Sequence, residues 1–187
     1  MEKKHIITIA GKPGSGKSTT ANLVAHELGY RRFSSGDFMR EMAKERGLTL
    51  AELQAQNDPK NDEYVDQKLR DIGTTQQDLV IDSRLAFHWI PGAFKVFLEL
   101  DFETAAHRIY THQIEHRRTM GEIVESFDTF LSSLTTRFAW EQQNYQKLYG
   151  VDPTDHGHYN LILDTSANAP EAVAHQIVAA YRDWLTP

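Results

Sequence analysis

The chain has 187 residues, 26 acidic against 20 basic side chains and a net charge of −6. It has no cysteine, which excludes disulfides, thiolate metal sites and cysteine nucleophiles. The acidic balance argues against general nucleic-acid binding. With no long apolar run and no signal segment, the reading is of a cytoplasmic protein that does not enter membranes. The length suits one domain able to bury roughly 70% of its unfolded surface without staples.

The first element sets the frame. His5 to Ala10 is a short, β-branched-rich run that reads as a buried strand. Gly11-Lys12-Pro13-Gly14-Ser15-Gly16-Lys17-Ser18 follows and fits G-x-x-x-x-G-K-[ST], the phosphate-binding P-loop. From Lys17 the pattern turns helical, with Ala21, Val24, Ala25 and Leu28 on one side and Gly29 as the stop. Glycines at 11, 14 and 16 let the main chain approach a polyphosphate. The loop N–H groups and the helix N-terminus, with Thr19 in its first turn, then face anionic oxygens. Lys17 adds a point charge near the terminal phosphates, and Ser18 supplies a hydroxyl for Mg²⁺.

Tyr30 to Ser34 reads as a second strand. Ser35-Gly36-Asp37 introduces a helix to about Arg46, ended by Gly47. Thr49-Leu50-Ala51-Glu52 is a capping box for a short helix. Asp58-Pro59 marks a turn, after which a polar helix runs to Ile72 with Gly73 as its stop. The mostly polar region 37–73 reads as a helical excursion over the sheet, not part of its core.

Asp78 to Asp82 is a strand ending in an acid, and Ala93 to Leu100 is another apolar strand. Asp101 caps a helix to about Arg118. Thr119-Met120-Gly121-Glu122 is a second capping box, opening a long helix to about Tyr149 with Gly150 beyond it. Asn160 to Leu163 is the last strand, and Asn168-Ala169-Pro170-Glu171 starts the last helix. Alternating strands and helices give an α/β fold of three layers, a sheet of about five parallel strands covered on both faces. Ligands in such sheets sit beyond the carboxyl ends of the strands. The residues to watch are therefore 11–18, 34–40, 82–84 and 164–166.

Phosphoryl transfer needs positioning and charge neutralisation more than covalent chemistry. A hydroxyl acceptor benefits from a carboxylate base; a phosphate acceptor needs cationic clamps. Arg40, Arg84, Arg108, Arg117, Arg118 and Arg137 stand at strand and helix ends. Asp82 is placed as the acid that orients Mg²⁺ beside Ser18. Arg137, Glu141 and Asn144 share one helix face. His112-Gln113-Ile114-Glu115-His116 also matches a zinc-protease pattern, but it needs a third ligand and explains less of the chain than the P-loop does. His156 and His158 lie in a polar loop with no assigned role.

Almost the whole chain resembles the short, archaeal-type branch of the cytidylate kinases. The likeness rests on the P-loop, on Ser34-Ser35-Gly36-Asp37-Phe38-Met39-Arg40 and on Ser83-Arg84-Leu85-Ala86. Leu148-Tyr149-Gly150-Val151-Asp152 and Asp164-Thr165-Ser166 complete it. The resemblance implies an ATP- and Mg²⁺-dependent kinase of a pyrimidine nucleoside monophosphate, CMP or dCMP before UMP, acting as a monomer. It implies that Arg40 and Arg84 clamp the acceptor phosphate, with Ser35, Gly36 and Asp37 lining its site. Arg137 reaches both phosphoryl groups, Glu141 stands near the acceptor sugar, and a lid spans about 110–119 with Arg108, Arg117 and Arg118. The pattern of the family has arginines where Ala105, His112 and Asn144 stand in this chain. Two other readings use the same loop: a kinase of a hydroxylated metabolite with Asp37 as base, and a nucleotide-binding regulatory protein without catalysis. A signalling GTPase is disfavoured because no N-K-x-D motif is present.

Overall fold

In the computed structural model, residues 3–56, 58–119 and 126–186 are described, without the side chains at 59 and 113–119. Five parallel strands form one sheet in the order β2-β3-β1-β4-β5. They are β1 (Ile6–Gly11), β2 (Arg31–Ser34), β3 (Leu79–Asp82), β4 (Phe94–Glu99) and β5 (Leu161–Asp164). The helices are α1 (Lys17–Leu28), α2 (Ser35–Glu45), α3 (Leu50–Ala55), α4 (Pro59–Thr75), α5 (Ala86–Trp89), α6 (Phe102–Thr119), α7 (Phe127–Tyr149) and α8 (Pro170–Leu185). The central strand β1 is buried along its whole length. That is why its sequence is nearly continuous in apolar residues instead of alternating.

Each face of the sheet has its own core. On one, Ile7, Ile9, Val80, Val96 and Leu98 pack against Val24 and Ala25 of α1 and Ile177, Val178 and Tyr181 of α8. On the other, Ile6, Leu79 and Ile81 pack against Phe38 of α2, Val65, Leu69 and Ile72 of α4, and Ile90. Each such aliphatic side chain contributes about 1.5–3 kcal/mol by leaving water. The region 37–73 is therefore not an excursion. Its few apolar residues recur at helical spacing and supply one wall of the core, while its polar majority faces outward.

Gly73 does not end α4. The helix continues to Thr75, and Gln76 caps it. A Cβ on Gly73 would stand 2.7 Å from Ile90 Cγ1, so the glycine lets α4 lie close against the end of α5. The short helix α5 carries no sequence signal of its own. The long helix begins later than its expected capping box: α6 runs through Thr119, and α7 starts at Phe127 with Ser126 Oγ accepting from Thr129 N at 3.2 Å. Residues 120–122 of that box lie outside the described residues. The capping box at Thr49 and Glu52 is present, and Asp101 caps α6 by accepting from Thr104 N at 2.8 Å. Among the described residues, no helix is long and apolar enough to cross a membrane.

Parallel pairing aligns the strand ends that matter. Gly11 is level with Leu98, Asp82 with Ile9 and with Ser34, and Glu99 with Asp164. The loops leaving β1, β2, β3 and β4 thus open on the same edge of the sheet.

Candidate active site

The P-loop wraps the start of α1. Gly11, Gly14 and Gly16 have φ of 148°, 76° and 83°, values that favour glycine. A Cβ at Gly11 would stand 2.5 Å from Leu98 O, and one at Gly14 would stand 2.8 Å from Ala105 O. Ala105 is fully buried beneath the loop, so the position that the resemblance gives to an arginine is instead a packing surface for Gly14. Gly16 caps α1 without a side-chain hydrogen bond, which leaves the first turn, including Ser18 and Thr19, open to an anion. The Ser15 hydroxyl is buried with no hydrogen-bond partner.

Lys17 donates to Gly11 O at 3.0 Å and Lys12 O at 2.7 Å. Burial of its ammonium, with the Arg84 charge nearby, lowers its pKa to about 8 despite the opposing pull of Asp82 and Glu141. An ammonium held by two loop carbonyls, with its charge disfavoured by burial, gains from a phosphate oxygen that supplies the missing counter-charge. Lys12 pairs with Glu99 and donates to Leu100 O at 3.1 Å, and His156 Nε2 lies 3.0 Å from the same carboxylate. Burial opposes the charge on Glu99, but these partners hold its pKa below the usual range. His156 is thus tied to the P-loop through Glu99, a role its loop position does not suggest.

Ser18 Oγ donates to Asp82 Oδ2 at 2.6 Å. A hydroxyl and a buried carboxylate that converge at the end of the phosphate loop are hard oxygen donors of the kind Mg²⁺ takes. Asp82 Oδ2 also accepts from Arg32 Nη2 at 3.1 Å, and Arg32 Nη1 donates to Asp37 Oδ2 at 3.2 Å. Arg40 pairs with the other Asp37 oxygen. Both oxygens of Asp37 are therefore engaged by guanidinium groups, an ion-pair partner rather than a base poised on a hydroxyl. Ser34 Oγ accepts from Gly36 N at 3.1 Å and fixes the start of α2, which carries Ser35, Gly36, Asp37 and Arg40.

Arg84 Nη1 lies 2.9 Å from Glu141 Oε2, and Arg137 Nε lies 3.9 Å from Glu141 Oε1. Burial works against the charge on Arg84, but Glu141, Tyr145 and Asp82 outweigh it and raise its pKa. Asp66 on α4 accepts from Trp89 Nε1 at 2.9 Å and from Tyr149 OH at 2.6 Å. Burial and the neighbouring Asp66 and Glu141 raise the pKa of Asp62. Asp62 and Asp66 of α4, Trp89 of α5 and Glu141 and Tyr149 of α7 thus form an acidic, aromatic group that is joined to Arg84 and Arg137 through Glu141. Sequence reasoning misses Arg32, Asp62, Asp66, Trp89 and Tyr145, and it picks out Tyr149 only within a family-like segment, without a role. Only tertiary pairing brings them to the site.

Arg108 donates to Thr165 O at 2.8 Å and Ser166 O at 2.9 Å, so it ties α6 to the loop after β5. Asp164 Oδ1 accepts from Ser166 N at 2.7 Å and shapes that loop. Arg117 and Arg118 lie on the last turn of α6, outside the described side chains, as do Glu115 and His116 of the zinc-protease pattern. Among the described residues no group of three or more potential ligands could hold a metal ion.

The model of the cytidylate kinase-like family matches residues 6–167. A cytidylate kinase of Halobacterium salinarum is 33% identical over 94% of this chain and 88% of its own length. One from Methanosarcina acetivorans is 36% identical over 85% of this chain and 86% of its own. Among solved structures, shikimate kinase from Acinetobacter baumannii superposes with a TM-score of 0.65 at 18% identity, covering 100% of this chain and 97% of that one. Shikimate kinase from Aquifex aeolicus gives 0.61 at 16% identity, covering 97% and 99%. These structures share the fold of a P-loop kinase. With a family model spanning most of the chain and relatives above 30% identity along nearly all of it, the chain belongs to the cytidylate kinase-like family.

Proposed function

We propose that the protein transfers the terminal phosphoryl group of ATP to CMP or dCMP, giving ADP and the pyrimidine nucleoside diphosphate. One observation carries the reading: Ser18 of the phosphate loop donates to Asp82 Oδ2 at 2.6 Å, two residues before Arg84, which pairs with Glu141. In this reading Lys17 is the donor cation and Arg84 an acceptor cation, and the two follow β1 and β3, which pair side by side. The cytidylate kinases to which the chain is similar supply the acceptor class.

The P-loop amides and Lys17 hold the donor polyphosphate. Ser18 and Asp82 are the residues that would hold Mg²⁺, which neutralises polyphosphate charge when bound. Arg40 and Arg84 hold the acceptor phosphate, with Arg137 between the two phosphoryl groups and Ser35 and Gly36 beside the acceptor. An acceptor phosphate is already largely ionised near pH 7, so no side chain need remove a proton. An acceptor oxygen bonds to the γ-phosphorus as the bond to the β–γ bridging oxygen breaks, and that electron pair leaves on ADP. Arg84 and Arg137, both paired to Glu141, are positioned for the spread of charge over the transferring group. Arg117 and Arg118 belong to a closing lid in this reading, and the enzyme works as a cytoplasmic monomer.

A coupled assay of ADP release with each common nucleoside monophosphate tests it. CMP and dCMP should give the highest kcat/KM, and no turnover with any monophosphate would refute it.

A further inference from the structure

Five side chains form an unbroken polar run from the acceptor side of the site to the metal side. Arg40 pairs with Asp37 Oδ1, and Arg32 Nη1 donates to Asp37 Oδ2 at 3.2 Å. Arg32 Nη2 donates to Asp82 Oδ2 at 3.1 Å, and Ser18 Oγ donates to that same oxygen at 2.6 Å. Arg32 is not a solvated surface charge. Its side chain is 22% exposed, that of Asp82 is 7% exposed, and Arg32 Nε is buried without a hydrogen-bond partner. Arg32 lies two residues from the end of β2, and β2 pairs directly with β3, so the fold itself delivers this guanidinium to the metal-side carboxylate.

We propose that Arg32 is a positioning residue that couples the acceptor-phosphate site to the divalent-cation site. While no acceptor is bound, Arg32 occupies and neutralises Asp82 and weakens cation binding there. An acceptor phosphate on Arg40 competes with Asp37 for that arginine, because a phosphate near two charges outbids a half-exposed carboxylate. Asp37 then acts on Arg32 alone. The guanidinium shifts its hold toward Asp37, which frees a lone pair of Asp82 Oδ2 and removes the nearby positive charge that repels a cation. Linkage makes the effect reciprocal: the cation-loaded donor tightens the acceptor by the same factor. A donor charged with metal is thereby favoured when an acceptor other than water is present. The coupling rests on the reading of Arg40 as an acceptor-phosphate ligand. The restraint of Asp82 by Arg32 does not.

The test is Mn²⁺ binding to the full chain with a non-hydrolysable ATP analogue, read as loss of the free-Mn²⁺ electron paramagnetic resonance signal, with and without CMP. Calorimetry measures CMP binding separately. In the wild type, CMP should tighten Mn²⁺ about fivefold or more. Arg32→Met should bind Mn²⁺ more tightly than wild type without CMP and lose the CMP effect while still binding CMP. Arg32→Lys keeps the charge but not the two-pronged fork, so it should restore weak Mn²⁺ binding without the coupling. Asp37→Asn leaves Arg32 to Asp82 alone and should shift Mn²⁺ affinity the other way, which keeps the proposal testable if Arg32→Met fails to fold. Unchanged or weaker Mn²⁺ binding by a folded Arg32→Met, or a CMP effect that persists in it, overturns the proposal. Failure of CMP to bind the wild type would instead overturn the acceptor reading and the coupling with it, while the restraint of Asp82 stands or falls on Arg32→Met without CMP.

Discussion

Arg84 Nη1 lies 2.9 Å from Glu141 Oε2, a largely buried ion pair that joins the loop after β3 to the middle of α7. Glu141 also takes Arg137 from its own helix, so one carboxylate sets the position of two cations. Replacing it by Gln leaves Arg84 in a low-dielectric site without its counter-charge. The pair is partly screened by solvent, so stability should fall by about 1–2 kcal/mol, less than for a fully buried pair. Misplacing the arginine should lower kcat/KM for CMP by about ten- to a hundredfold. Steady-state kinetics and a thermal melt on Glu141→Gln check both.

Lys17 should be a liability to the ligand-free fold. Its pKa of about 8 means that the folded state gives up the proton more readily than the unfolded chain, which keeps it to about 10.5. Between those values the unfolded state holds more protons, so the stability of the ligand-free protein should rise with pH through that window. Lys17→Met should accordingly stabilise the ligand-free protein at pH 7 by about 1–2 kcal/mol after allowance for solvent screening, and should abolish ATP-dependent stabilisation. Melts with and without nucleotide read both effects.

The same group sets a pH limit on the donor. Nucleotide phosphates favour the ammonium form of Lys17, so ATP affinity should be full below about pH 8 and fall by up to about tenfold per pH unit above it. Calorimetry in two buffers of different ionisation heat should show proton uptake on binding near pH 9 and much less at pH 7.

Gly73 tests the packing of α4 against the core. Its Cβ position is 2.7 Å from Ile90 Cγ1, and Ile90 is itself fully buried. Gly73→Ala should therefore destabilise by about 1–3 kcal/mol through overpacking, although alanine is the better helix former. Urea melts measure this directly, and a stabilised variant would contradict so close an approach of α4 to Ile90.

What is legible in the sequence is what is local in the chain. The P-loop reads because its glycines, Lys17 and Ser18 are contiguous and lie between a strand pattern and a helix pattern. The strands read because burial on both faces leaves apolar runs. Gly73 reads wrongly as a stop because a glycine that relieves contact with Ile90 looks the same in sequence as one that ends a helix. The region 37–73 reads wrongly as an excursion because Phe38, Val65, Leu69 and Ile72 are few among polar residues, yet they pack into one buried core. Arg32 and Asp82 are far apart in sequence and meet only because β2 pairs with β3. His156 reaches Glu99 from the short turn 156–158 that precedes β5, where its ring also lies against Phe97. No pattern along the chain announces either contact.

In the proposed reaction the acceptor is a phosphate on a pyrimidine nucleoside, and the arginines around Glu141 serve it. The most direct measurement is a phosphorus NMR spectrum of protein, ATP, Mg²⁺ and CMP followed in time. Phosphoryl transfer to CMP predicts that the CMP resonance is replaced by the paired resonances of CDP while ATP becomes ADP, with no growth of inorganic phosphate. An unchanged CMP signal, with ATP intact or converted only to ADP and inorganic phosphate, would contradict it.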